Sequence, residues 1–218
     1  MARSPAQTAA PPAPRLYLVT PPVSDTASIV AALPEALAAA DVAALLLRLA
    51  PADERTLTNR IKTLAPIVHK ADVALVIEGN IEIVARAGAD GCHIADVGAL
   101  RAAASTLKPS RIVGAGQLTS RHDAMLAGES GADYVMFGEP DAGGTRPSLA
   151  AIVERVEWWA EVFEIPCVAF ARSIDEIEAL CAARADFIAL GDATFSDPRG
   201  WAKAVAEAAT QMPARAIA

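Results

Sequence analysis

Aromatic side chains are scarce in this 218-residue chain, at 5% of residues, while just over half of the sequence is apolar. Alanine carries much of that apolar content. The balance favours many helices packed closely on a sheet and argues against a fibrous or disordered chain. No run approaches the roughly 18 uncharged apolar residues that a membrane span needs. There is no basic excess either. The formal charge is −7, so the electrostatic footprint of a nucleic-acid binder is missing. Only three cysteines occur, Cys92, Cys167 and Cys181. None has a second cysteine or histidine at metal-ligand spacing, so they read as buried reduced thiols of a cytoplasmic protein rather than as a zinc site or disulfides. The glycine-rich dinucleotide fingerprint is also missing, because Pro21-Pro22 closes the first predicted strand where glycines would stand. The start, MARSPAQTAAPPAPR, lacks the apolar region of a secretory signal and reads as a disordered Pro/Ala-rich tail over 1–14.

What is present is a regular alternation. Strands are expected at Arg15–Thr20, Val42–Leu47, Leu75–Ile77, Gly91–Ile94, Arg111–Ala115, Asp133–Phe137, Pro166–Phe170 and Asp186–Leu190. Between and after them, helical periodicity covers about Thr26–Ala40, Ala52–Lys70, a stretch ending at Gly88, Gly98–Leu107, Ser120–Glu129, Pro147–Phe163, Ser173–Ala183 and Pro198–Gln211. Ser173 and Glu176 have the spacing of a capping box. Eight strands, each followed by a helix and joined by short loops, predict one (β/α)8 barrel over 15–212, with a C-terminal tail over 213–218. An open doubly wound sheet is the rival architecture. In either fold the chemistry belongs at the C-terminal ends of the strands. Asp90 and Asp133 fall at the opposite face and read as structural.

Several segments in order carry a family signature: Leu16-Tyr17-Leu18-Val19-Thr20, Leu46-Leu47-Arg48, the GADGCHI run ending at Ile94, and Gly131-Ala132-Asp133-Tyr134-Val135. With this spacing the chain resembles thiamine phosphate synthase and its sister group, the thiazole tautomerases. The resemblance covers roughly Arg15 to Pro198. It implies a (β/α)8 enzyme that joins a pyrimidine pyrophosphate to a thiazole phosphate, with magnesium holding the departing pyrophosphate. Such a site needs metal-binding carboxylates and fixed cations to balance the leaving charge.

Position by position, the resemblance implies an arginine after strand two, and Arg48 supplies it. The glutamine and lysine expected around that arginine are replaced by Leu46 and Ala50. The magnesium ligands expected after strands three and four fall on Gly79 and Gly98, leaving the neighbouring Glu78 and Asp96 as candidate relocated ligands. Gln117 and Thr119 are the nearest matches to the serine and histidine after strand five, and the missing histidine weakens a tautomerase reading. After strand six, Gly138 opens the loop and Arg146 stands in for an expected lysine. The glycine pair that would cradle the thiazole phosphate after strand seven is Ala171-Arg172, and strand eight ends Gly191-Asp192 where a serine is expected. Arg172 could replace bare amides with a guanidinium fork, or be a plain exposed residue. Arg48 could bind an anion or pair with Glu78. His93 could be catalytic or a hydrogen-bonded structural histidine.

The candidate site is therefore Arg48 as the catalytic cation, with Glu78, Gln117, Thr119, Gly138, Arg146, Arg172, Gly191 and Asp192 as ligand contacts, and Glu78 and Asp96 for magnesium if catalysis survives. Three arginines at this rim (Arg48, Arg146, Arg172) face five carboxylates (Glu78, Glu139, Asp141, Asp96, Asp192), a balance that does not suit a polyanion without metals. Motifs alone therefore favour a synthase-like barrel that is non-catalytic or functionally diverged, a pseudoenzyme candidate. An active thiamine phosphate synthase and a diverged enzyme acting on a less charged small ligand are the alternatives. A small-molecule partner at the rim is expected, with no nucleic acid and no membrane; the resemblance suggests a homodimer or larger assembly.

Overall fold

The computed structural model describes residues 12–141 and 143–214; most of the expected N-terminal tail, 1–11, and residues 215–218 of the expected C-terminal tail lie outside the described residues. Eight parallel strands close on themselves in sequence order: β1 Arg15–Val19, β2 Val42–Leu47, β3 Ala74–Glu78, β4 Gly91–Ile94, β5 Ile112–Ala115, β6 Tyr134–Phe137, β7 Cys167–Ala171 and β8 Phe187–Leu190. Helices follow them: α1 Ala27–Ala38, α2 Glu54–Lys70, α3 Val84–Ala87, α4 Val97–Leu107, α5 Arg121–Glu129, α6 Leu149–Val162, α7 Ile177–Ala182, then α8 Asp192–Phe195 and α9 Trp201–Thr210. This is the (β/α)8 barrel that the alternation predicts, and the doubly wound sheet is excluded by the β1–β8 pairing.

Strand periodicity sorts the apolar residues into two layers. Leu16, Leu18, Leu45 and Leu47 point outward and pack under the helices, where Trp159 of α6 is fully buried. Tyr17, Val19, Leu46, Val76, Tyr134, Met136, Val168 and Phe170 point inward and fill the barrel. Two tyrosines in that inner layer are unusual company for the aliphatic residues that ordinarily fill such barrels.

The N-terminal rim is built by repetition. Asp90 sends its backbone N–H to the carbonyl of Leu75 at 2.7 Å and takes the Leu75 N–H on its carboxylate at 2.7 Å. Asp133 does the same with Val113, at 2.7 and 2.9 Å, and Asp186 with Cys167, at 3.0 and 2.8 Å. Each aspartate immediately precedes an even-numbered strand and satisfies the N–H of the first or second residue of the odd strand before it. An unmet backbone donor is thereby removed at three places around the rim. The structural reading of Asp90 and Asp133 holds.

Three helices differ from the periodicity. The segment after β3 forms a 3-10 turn over Ile81–Ile83 and only the short α3. Gly79 and Asn80 both take left-handed backbone, with φ of 60° and 53°, and Gly88 ends the segment at φ 83°. The seven residues from Ile81 to Ala87 left between them make barely two turns, which favours the tighter helix. The segment after β7 opens with a 3-10 turn at Ile174–Glu176, and the expected capping box does not form: Ser173 makes no side-chain cap bond and Glu176 bonds elsewhere. A short extra helix, α8, follows β8 and takes Asp192 as its first residue.

Candidate active site

The C-terminal mouth is organised around a residue that composition and motif do not single out, Glu139, in the loop after β6. Its side chain is 1% exposed. One carboxylate oxygen receives Nη2 of Arg48, and the other receives His93 Nε2 at 3.3 Å and the backbone N–H of Gln117 at 3.2 Å. Arg48 extends from the end of β2, its own N–H held by the Thr20 hydroxyl at 3.0 Å, and its Nε also donates to Glu78 at 3.2 Å. Of the two alternatives for Arg48, pairing with Glu78 is the one the structure shows, and Glu139 is a second partner.

The network continues into the barrel. His93 Nδ1 lies 2.8 Å from the Tyr134 hydroxyl, and Tyr134 lies 2.8 Å from the Tyr17 hydroxyl. Burial pushes both phenols up, so each keeps its proton across the physiological range. An ionised carboxylate only accepts, so His93 Nε2 carries the proton it gives Glu139. Nδ1 of the same ring meets the Tyr134 hydroxyl, and Tyr134 meets the Tyr17 hydroxyl in turn. Among the described residues, no buried side-chain polar atom of this chain of five lacks a hydrogen-bond partner, and these bonds suffice to hold His93 in place. Burial pushes the Glu139 carboxyl up, but His93, Arg48 and the Gln117 N–H together outweigh it, and the group ends below its usual value.

Two glycine positions make room for this arrangement. A Cβ at Gly116, just past β5, would sit 2.1 Å from His93 Nε2 and 2.4 Å from a Glu139 oxygen. A Cβ at Gly138, where φ is 82°, would press against Ile152 at 2.7 Å. Gln117 follows Gly116 with φ 53°, a strained conformation for a side-chain-bearing residue. Its N–H bond to Glu139 and its Nε2 bond to the Pro140 carbonyl at 2.8 Å hold that turn.

Beside the network lies a cavity of about 310 Å³ lined by Gln117, Thr119, Gly138, Glu139, Asp141 and Arg146, among others. Four of the expected ligand contacts thus converge: Gln117, Thr119, Gly138 and Arg146. The Arg146 side chain is 6% exposed and donates Nη1 to Glu176 at 3.0 Å, while Nη2 is buried with no hydrogen-bond partner among the described residues. Thr119 bonds Asp123 at 2.8 Å at the start of α5. Arg172, Gly191 and Asp192 do not line the cavity. Arg172 is exposed and its backbone N–H goes to Glu176 at 2.7 Å. Asp192 is exposed, and Gly191 packs where a Cβ would meet the Phe170 ring at 2.8 Å.

The magnesium that the resemblance implies does not fit these donors. Glu78 is committed to Arg48, and Asp96 caps α4 by accepting the Gly98 N–H at 2.9 Å. Gly79 and Gly98 offer no side chain. Among the described residues no group of three or more His, Cys, Asp or Glu is placed to hold a metal ion. A hard divalent cation needs several oxygens converging on one point. The buried thiols are also accounted for: burial pushes Cys92 and Cys167 up to about 12, which keeps them protonated and unreactive.

The family model described as thiamine monophosphate synthase matches residues 16–194. The chain belongs to that family. Similarity to the thiamine-phosphate synthase of Rhodospirillum centenum is 39% identity over 196 residues, covering 88% of this chain and 95% of that one. The Hyphomonas neptunium thiamine-phosphate synthase is 36% identical over 202 residues, covering 89% and 91%. Among solved structures, the Pyrococcus furiosus thiamine phosphate pyrophosphorylase superposes with a TM-score of 0.75 over 90% of this chain and 94% of that one. At 23% identity, that likeness speaks for the shared barrel. No described helix is long and apolar enough to cross a membrane.

Proposed function

We propose that the chain is a thiamine phosphate synthase, joining a pyrimidine pyrophosphate to a thiazole phosphate. The observation that carries this reading is the 39% identity extending over 95% of the Rhodospirillum centenum synthase, which favours retained chemistry over the non-catalytic reading that the motifs alone suggest. The mouth offers two fixed cations to a departing pyrophosphate. Arg146 lines the cavity, and Arg48 shares itself between two carboxylates of different standing. Glu139 is buried and bonded to three partners, whereas Glu78 is 39% exposed. An incoming anion therefore displaces Glu78 from Arg48 and leaves Glu139 in place, which keeps the guanidinium facing the mouth while its charge is reassigned to the ligand.

The test is thiamine phosphate formation from both substrates, with magnesium and with chelator, beside an active synthase as control. Turnover that Arg48→Ala abolishes supports the reading. No turnover under conditions where the control is active overturns it.

One set of observations favours a second reading, a family barrel that binds a ligand without this chemistry. Both expected metal positions are glycine, and Arg48 is already paired. Calorimetric titration with thiamine phosphate separates the two: binding without turnover supports the second.

A further inference from the structure

We propose that Glu176 is a positioning residue that aims Arg146 into the mouth cavity. The proposal rests on the reading that Arg146 receives an anionic group there.

Among the described residues lining the cavity, Arg146 is the one cation, and Glu139 and Asp141 line the same space. Affinity for an anion therefore depends on where a single guanidinium points. An arginine side chain has several rotatable bonds and ordinarily moves its charged end toward water. This one is 6% exposed instead. It is held by one ion pair, Nη1 to Glu176 Oε2 at 3.0 Å. Glu176 is itself fixed, because the same oxygen accepts the backbone N–H of Arg172 at 2.7 Å, which ties it to the end of β7. The result is a two-step brace from a barrel strand to the guanidinium. Nη2 is buried and has no hydrogen-bond partner among the described residues. Glu176 lies outside the cavity lining, so it orients Arg146 without touching what binds there.

A carboxylate beside an anion site has two opposite effects, and their signs separate them. By charge alone, Glu176 repels an anion, and removing it tightens binding. As a brace, it holds Arg146 in place, and removing it loosens binding. The experiment is calorimetric titration of the full-length chain with inorganic pyrophosphate, with thermal melting as the check on folding. Glu176→Ala is expected to weaken binding roughly tenfold, the loss of one charge-assisted hydrogen bond. Glu176→Asp keeps the charge but is one methylene too short, and is expected to weaken binding comparably. Glu176→Gln keeps an amide oxygen to accept from Arg146, and is expected to stay within about threefold of the parent chain or to bind more tightly.

Binding by Glu176→Ala or Glu176→Asp equal to or tighter than the parent, while Arg146→Ala weakens it, overturns the positioning role and leaves the anion site standing. Unchanged binding in Arg146→Ala overturns both. A chain that shows no synthase turnover yet follows the expected order in pyrophosphate titration fails the synthase reading and supports the brace.

Discussion

The two ends of this barrel use the same chemical device with opposite redundancy. At the N-terminal rim, three aspartates each make the same pair of bonds to the preceding strand, and loss of one leaves two intact. At the C-terminal mouth, a single carboxylate, Glu139, holds Arg48, His93 and the Gln117 turn at once. Repetition suits the end that has only to hold strands together. At the other end the carboxylate is surrounded by groups that must stay mutually oriented, so one residue carries several bonds and nothing replaces it. A substitution should therefore cost more at the mouth than at the rim.

Glu139→Gln is where the largest effect is expected. It leaves Arg48 with a neutral partner and a proton-bearing amide facing His93, and should destabilise the fold by about 3 kcal/mol at neutral pH in urea unfolding. The effect should depend on pH in a definite direction. The folded Glu139 carboxyl lies below its usual value, so the unfolded chain binds the extra proton as pH falls. The stabilisation is fully present above the ordinary carboxylate range of about 4 and is lost as pH drops through the folded value. The gap between parent and Glu139→Gln should therefore narrow on acidification. A gap that widens or stays constant would show that the carboxylate is not held as its contacts imply.

Asp133→Ala at the rim should cost less, about 1.5 kcal/mol, by leaving the Val113 N–H without its acceptor. The ion pair of Asp133 with Lys108 adds little because both side chains are more than a third exposed. Asp90→Ala and Asp186→Ala should fall in the same range, since each makes the same bond. Equal costs at the three positions, each about half that of Glu139→Gln, are the pattern that supports the contrast; a rim variant costing more than Glu139→Gln would reverse it.

The sequence made the rim legible and the mouth only partly so, for a physical reason. The eight-strand alternation follows from local periodicity, and Ala-Asp before a strand repeats at Asp90, Asp133 and Asp186, so a short-range pattern is enough. The mouth is assembled from single residues on different strands. Glu139 touches Arg48, 91 positions away, and His93, 46 away, and no window contains them all. Its signal was available only as a negative residue beside Gly138 where a turn was expected. Glu176 was misread for a related reason: its spacing from Ser173 matches a capping box, but a tertiary partner, Arg146, took the carboxylate. Asp96 reverses the error, since a local cap, the Gly98 N–H, took a carboxylate expected to face the mouth.

The repeated rim also contains one irregular member, and it supplies the smallest effect. Two of the three aspartates follow Gly-Ala, where Gly88 and Gly131 adopt φ of 83° and 94° to end their helices. The third follows Arg184-Ala185, and Arg184 takes the same left-handed turn with φ 68°. A side chain there crowds the following carbonyl at a cost of roughly 1–2 kcal/mol, which glycine avoids. Glycine also adds freedom to the unfolded chain, which offsets part of the gain. Arg184→Gly should therefore stabilise the protein by a net amount of about 0.5 kcal/mol, read as a rise in the urea midpoint with an unchanged slope. If the third repeat is equivalent to the other two, Asp186→Ala should cost the same in the Arg184→Gly background as in the parent, because strain at the turn and the carboxylate bond to Cys167 are separate terms. A markedly larger cost in the glycine background would mean that the strained arginine already weakens this bond, and that the rim is held by two full repeats and a partial one.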